Sequence, residues 1–322
     1  MKPLQPISQT SAAATPVWLR RFTKLVAAAT LFLIFAGAMV TSTGSGLAVP
    51  DWPLSYGRLM PPMVGGIFYE HGHRMVASAV GFLVVLQAIW LQRREPKRFV
   101  RILGWLSLTA VIAQGVLGGL TVLFLLPKPI SIAHAGLAEI FFCLNVSIAF
   151  FTSAWYQSLC KVEKGDAPVR MAWGLTTLVY LQILAGALMR HMGAGLAIPD
   201  FPLSFGRVVP PFTSASIAAA FLHRAGGFVV AAAVIVMAVR LLRYEREHPL
   251  RALAHLLLVV VSMQILLGGS VIWSGKNPMI TSLHVMTGAF TLALSLVLTL
   301  ASRALAWRRS RAAQNALIEV AA

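Results

Sequence analysis

Eight apolar runs constrain this chain more than any other feature. They lie at roughly 23–43, 72–92, 102–124, 131–156, 171–190, 218–240, 252–273 and 280–305. Runs of about 20 residues match the thickness of a bilayer's hydrocarbon core. Only helices and closed barrels satisfy their backbone in lipid, and runs of this length mean helices. Composition agrees, with 58% hydrophobic and 11% charged residues and a mean hydropathy of +0.77. Soluble domains carry roughly a quarter charged residues, so lipid is the expected solvent. The net charge of +17 would suggest nucleic acid if it formed patches on a polar face. Instead the cations fall in short bursts between apolar runs, as membrane loops do, and no nucleic-acid partner is expected.

Those bursts orient the chain. Lys2, Arg20, Arg21 and Lys24 precede the first run. Arg93, Arg94, Lys97, Arg98 and Arg101 follow the second, and Lys161, Lys164 and Arg170 the fourth. Arg240, Arg243, Arg246 and Arg251 follow the sixth, and Arg303, Arg308, Arg309 and Arg311 close the chain. Twenty of 27 cations share one side if the helices alternate. The positive-inside rule makes that side cytoplasmic, with both termini. The 44–70 and 191–217 loops then face outward.

The two outer loops reveal a duplication. GSGLAVPDWPLSYGRLMPP begins at Gly44 and GAGLAIPDFPLSFGRVVPP at Gly193, identical at thirteen of nineteen positions with an offset of 149. QGVLGG from Gln114 and QILLGG from Gln264 repeat at 150. A unit of four helices is even, so both copies point the same way, about an axis along the membrane normal. The predicted fold is therefore an all-α membrane protein, with eight transmembrane helices forming two tandem pseudo-symmetric four-helix bundles. The predicted boundaries are a cytoplasmic tail at 1–20, a first unit at 21–160, a cytoplasmic linker at 161–170, a second unit at 171–308 and a cytoplasmic tail at 309–322. The two cysteines, Cys143 and Cys160, form neither a CxxC nor a CxxCH motif, so no thioether-linked haem is expected.

Four of the eight histidines obey the repeat. His73 matches His223, and His134 matches His284, both at 150. Each lies near the start of an even-numbered helix, at the outer level. Two facing imidazoles about 4 Å apart can fill both axial positions of a haem, and a four-helix bundle is a familiar container for one. Otherwise such a histidine merely bridges helices by a hydrogen bond. Ionisable groups repeated inside a membrane favour function. Zinc would need further ligands that neither unit offers. His191 and His71 have no repeat partner, and His248 and His255 lie by a cytoplasmic loop.

Arg74 and Arg224 follow the first histidine of each pair. They are candidate contacts for haem propionates, or else interfacial cations with snorkelling side chains. Arg58 and Arg207 in the outer loops are weaker candidates. The halves differ at Glu70, three residues before His73, which aligns with Ala220. A carboxylate there shares a helix face with His73. It can move a proton or stabilise developing positive charge, or serve the helix dipole. Glu139 aligns with Ala289 and is a candidate second acid, as a proton relay or a paired buried group.

Eight runs, the PDWPLSYG and PDFPLSFG loops, EHGHR, and single histidines opening helices four, six and eight resemble the haem A synthase family. The resemblance covers about residues 20–308 and fits a proteobacterial-like type without outer-loop cysteines. It implies oxidation of the C8 methyl of haem O to a formyl group by two successive hydroxylations, giving haem A for terminal oxidases. It also implies a haem b cofactor on His223 and His284, haem O substrate between His73 and His134, and Glu70 as the essential acid. The location implied is the cell inner (plasma) membrane, with the haem sites near its outer face. Implied partners, besides lipid, are haem O synthase, terminal oxidase assembly proteins and a second copy of the chain. Two alternatives remain: a bis-histidine di-haem electron-transfer protein, and a haem carrier or oxidase assembly factor.

Overall fold

The structure is a computed structural model that describes residues 15–159 and 167–321, with side chains of the last helix described to residue 306. The calls on Lys2, Cys160, Lys161 and Lys164, on the side chains of Arg308, Arg309 and Arg311, and on the masked parts of the 1–20 tail and 161–170 linker lie outside them.

All eight apolar runs are helices long and apolar enough to cross a membrane. Four belong to the first half: α1 (Val17–Ser42), α2 (Gly66–Arg94), α3 (Arg98–Leu123) and α4 (Lys128–Thr152). A short α5 (Ala154–Leu159) follows. The second half holds α6 (Val169–His191), α7 (Ala215–Leu242), α8 (Arg251–Trp273) and α9 (Pro278–Ala321). The expected 309–322 tail thus continues α9 as helix to Ala321. Local chemistry marks the starts. Gly65, with φ of 54°, precedes α2, and Ser214 caps α7 by accepting from the Ile217 N–H at 3.2 Å. Proline opens α9 and lies in the first turn of α4, where its missing N–H costs nothing.

Helices α1 to α4 pack in a ring, each on its sequence neighbours and α1 on α4. Helices α6 to α9 close a second ring in the same order. The rings meet through α1, α4, α6 and α9. Accordingly α4 and α9 are the most buried spans. Outward residues such as Phe32, Phe82, Ile112, Val259 and Leu266 are large, apolar and exposed, as a lipid-facing surface requires.

The rings differ at mid-depth. In the first, the Asn145 carbonyl oxygen accepts from Gln87 at 2.8 Å and Ser107 at 3.0 Å. Its amide donates to Phe141 O at 3.1 Å and Thr30 Oγ at 3.4 Å. One side chain thereby ties all four helices. The repeat-matched positions in the second ring are Val179, Met237, Leu257 and Ser295, all buried. Apolar packing replaces the polar tie. Hydrogen bonds inside membranes are worth about 0.6 kcal/mol on average. Asn145→Ala should therefore cost about 2 kcal/mol of stability, measured by denaturant unfolding in detergent, while Ser295→Ala should change it little.

Candidate functional site

The two outer loops fold alike. Asp51 accepts from the backbone N–H of Tyr56 at 2.6 Å and Gly57 at 2.8 Å. Asp200 does the same with Phe205 at 2.7 Å and Gly206 at 2.8 Å. These backbone donors, the glycines first, hold both carboxyls below their ordinary pKa. Gly57 and Gly206, with φ of 68° and 70°, adopt a conformation open to glycine. Ser55 pairs with Arg58, and Ser204 with Arg207, in isolated antiparallel bridges. These turns give Arg58 and Arg207 a place in the loop backbone.

Arg74 and Arg224 pin each loop to the helix below. Arg74 Nη1 donates to the carbonyls of Asp51 at 2.8 Å and Leu54 at 2.9 Å, and Nη2 to that of Val49 at 3.2 Å. Arg224 repeats the pattern on Asp200 at 2.6 Å, Leu203 at 3.0 Å and Ile198 at 2.7 Å. The terminal nitrogens of both candidate propionate contacts serve loop carbonyls here, the nearest acceptors.

Glu70 belongs to the first clamp alone. It is buried, accepts from the Val49 N–H at 2.8 Å and pairs with Arg74 at 2.7 Å. Both of its oxygens are thus held. His71, which has no repeat partner, is buried and bonded to Ser55 Oγ through Nδ1 at 2.8 Å. It braces the loop. Its counterpart Phe221 packs instead on Phe212.

Each repeated histidine rests on a glycine of the neighbouring helix. A methyl on Gly37 of α1 would lie 3.0 Å from Cε1 of His73, and one on Gly118 of α3 3.4 Å from His134. In the second half, a methyl on Gly186 of α6 would lie 2.7 Å from His223, and one on Gly268 of α8 3.1 Å from His284. The adjacent glycines serve the loops. Gly119 receives the Trp52 indole, which a methyl would approach to 2.7 Å, and Gly269 receives the Phe201 ring at 3.0 Å. The repeated LGG is therefore a double seat, for a histidine and for a loop aromatic.

His223 and His284 face each other with ring centroids 6.3 Å apart and planes at 85°. Two axial bonds of about 2 Å hold the nitrogens about 4 Å apart, and the half-rings behind them bring the centroids to roughly 6 Å. The pair therefore fits a haem. His284 Nδ1 lies 3.2 Å from the Gln264 carbonyl. A carbonyl only accepts, so Nδ1 carries the hydrogen and Nε2 keeps the lone pair a metal needs. Gln182 contacts both the ring nitrogen and the carbonyl of His223. In the first half, Nδ1 of His73 and of His134 has no hydrogen-bond partner among the described residues. The Gln114 amide donates to the His134 carbonyl at 3.1 Å. No group of three or more His, Cys, Asp or Glu that could hold a bare metal ion occurs among the described residues.

Glu139 is buried on α4, with Oε2 unpartnered among the described residues. It shares a helix face with Gly136 and Cys143, where Tyr180 of α6 reaches the Gly136 carbonyl at 3.4 Å. It thus lies toward the seam between rings. His191 ends α6, His255 is exposed, and His248 stacks on Tyr244 with centroids 4.4 Å apart.

Three features escaped the sequence reading. The histidine seats Gly37 and Gly186 repeat at 149 and were legible in principle. Gln182 is a single polar residue in an apolar run, and the run does not show which helix its face meets. Arg190 of α6 ties the rings by donating to Ala38 O at 3.0 Å and Ser42 Oγ at 2.7 Å, and it is a lone cation in an apolar run.

Comparison with known proteins points one way. The family model COX15-CtaA, a cytochrome oxidase assembly protein, matches residues 64–297. The chain is 30% identical to a heme A synthase of Shouchella clausii, over 88% of this chain and 94% of that protein. It is 28% identical to one from Halalkalibacterium halodurans, over 83% and 91%. It is 29% identical to one from Symbiobacterium thermophilum, over 66% and 70%.

The seats predict a graded response. Gly186→Ala should lower haem retained by the purified protein about tenfold, and more than Gly268→Ala, because its methyl meets the ring at 2.7 Å rather than 3.1 Å. Haem per polypeptide, measured by absorbance after extraction, checks the order.

Proposed function

This chain belongs to the COX15-CtaA family of cytochrome oxidase assembly proteins, and from that premise we propose that it is a haem A synthase. The reaction oxidises the C8 methyl of haem O to a formyl group in two successive hydroxylations. The observation that carries the assignment to particular residues is the asymmetry at Glu70. The two rings share their loop clamps and histidine seats, yet only the first has a buried carboxylate one turn from its first histidine.

In this reading His73 and His134 hold the substrate haem O, and His73 Nδ1, without a hydrogen-bond partner among the described residues, suits a ligand that takes and releases a guest. His223 and His284 hold haem b, which supplies one-electron redox chemistry when bound. Glu70 is kept in place by the Val49 N–H and Arg74. From there it takes up a proton or stabilises positive charge as the methyl group is oxidised. Arg74 acts through Glu70 and the loop, as a positioning residue. Burial of Glu139 near the seam supports a secondary role in proton movement. The cation bursts support a topology with both termini in the cytoplasm and the histidines near the outer face of the plasma membrane. Haem O synthase and oxidase assembly proteins are the partners this chemistry calls for.

A di-haem electron-transfer protein is the second reading, and it is favoured by the fourfold recurrence of histidine on glycine. It gives no reason for Glu70 in one ring only. Co-expression with a haem O source, followed by haem extraction and mass spectrometry, separates the two. Glu70→Gln should lower haem A formation about 100-fold or more and leave haem b bound. Unchanged haem A in that variant would remove Glu70 from the chemistry. A wild-type protein loaded with haem but making no haem A would favour electron transfer.

A further inference from the structure

Arg190 follows Gly186, the seat of His223, by four residues on α6, so it shares that helix face one turn nearer the helix end. Its Nη2 donates to Ala38 O at 3.0 Å and Ser42 Oγ at 2.7 Å, both on α1. Ser42 Oγ lies 3.0 Å from Ser282 Oγ of α9, two residues before His284. The guanidinium therefore sits where α1, α6 and α9 meet, within a helical turn of the His223 seat. These partners are a carbonyl and hydroxyls, all neutral. Two ion pairs occur among the described residues, Arg74 with Glu70 and Lys97 with Glu95, and Arg190 is in neither. Both of its hydrogen bonds leave from Nη2, so Nε and Nη1 have no partner among the described residues. Arg74 and Arg224, by contrast, have both terminal nitrogens bonded. The position matched to Arg190 at the repeat offset of 149 is Thr41, whose hydroxyl donates to the Gly37 carbonyl of its own helix at 3.3 Å. The first ring thus has no cation at this place.

We propose that Arg190 binds a propionate carboxylate of the haem held by His223 and His284, with Ala38 and Ser42 holding the guanidinium in place. The inference rests on the assignment of haem b to those two histidines. A charge in a membrane span is costly unless it is paired. A guanidinium cannot shed its proton to escape that cost. Nε and Nη1 remain for hydrogen bonds to an anion, and such charge-assisted bonds are roughly twice as strong as neutral ones. Two axial histidines fix the iron along one line and leave the porphyrin free to turn about it. A cation to one side of that line, facing the acidic edge of the porphyrin, sets the rotation as well. Arg190 in this way supplies the propionate contact that Arg74 and Arg224, spent on loop carbonyls, do not.

The test uses the full-length protein, purified from a haem-deficient host and loaded with haem b or with its dimethyl ester. The ester keeps the iron and the ring but has neutral propionates. The rate of haem loss to an apo-haemoprotein trap is compared in wild type, Arg190→Gln and Arg190→Lys. Wild type should release the ester about tenfold faster than haem b. Arg190→Gln should release haem b about tenfold faster than wild type does, yet release the ester at the wild-type rate. A loosened helix junction would instead speed the loss of both forms, so the ester separates a propionate contact from a packing role. Arg190→Lys keeps the charge and should still hold haem b longer than the ester. Wild-type retention of haem b in Arg190→Gln, or equal acceleration for haem b and ester, would overturn the inference and leave the proposed enzyme standing. If His223→Ala retained the same low-spin haem, the haem assignment itself would fail, and the inference with it.

Discussion

A histidine ring pressed against a helix that lacks a side chain at that point is the contact on which the rest depends. It occurs four times, at Gly37, Gly118, Gly186 and Gly268. Helix backbones in lipid satisfy their own hydrogen bonds, but each carbonyl retains a second lone pair. Where a glycine stands four residues on, a neighbouring imidazole can reach that carbonyl, as His284 reaches Gln264. The seat sets the helix spacing, the depth of the ring and, in that case, its tautomer. In the second ring two such seats hold the His223 and His284 rings with centroids 6.3 Å apart. That is what a flat iron chelate needs from a protein.

The outer loops cap this arrangement. Each is folded on an aspartate, clamped by an arginine and anchored by an aromatic ring on the glycine beside a histidine seat. The loop and the histidine seat thus share a helix turn, so movement of one is felt by the other. Duplication kept this framework and let the interiors diverge. The first ring carries the Asn145 polar tie, Glu70 and a His73 Nδ1 without a partner among the described residues. The second is apolar at mid-depth and holds its histidines by Gln182 and Gln264.

Much of this was legible in the sequence because membranes simplify the code. Length and hydropathy alone locate eight helices, and the polar, proline-rich loops expose the duplication. His73, His134, His223 and His284 stood out because an internal repeat acts as a second copy of the experiment. Glu70 stood out where that repeat fails. Other features were hidden for physical reasons. Arg74 and Arg224 precede no visible acceptor in sequence, because their partners are loop carbonyls some twenty residues upstream. His71 follows Glu70 in sequence, but consecutive helix residues face different ways, and it meets Ser55 instead. Gln182 and Arg190 are single polar residues in an apolar run. Helical period gives their face, yet not which neighbouring helix that face meets.

The central claim is a division of labour between two histidine pairs. It is tested most directly by purifying the four single histidine-to-alanine variants and recording the haem each retains, by extraction and by optical and EPR spectra. His223→Ala and His284→Ala should lose the stably bound haem b, while His73→Ala and His134→Ala keep it and form no haem A. Equal loss of haem b from all four variants, or loss from the first pair instead of the second, would contradict that division.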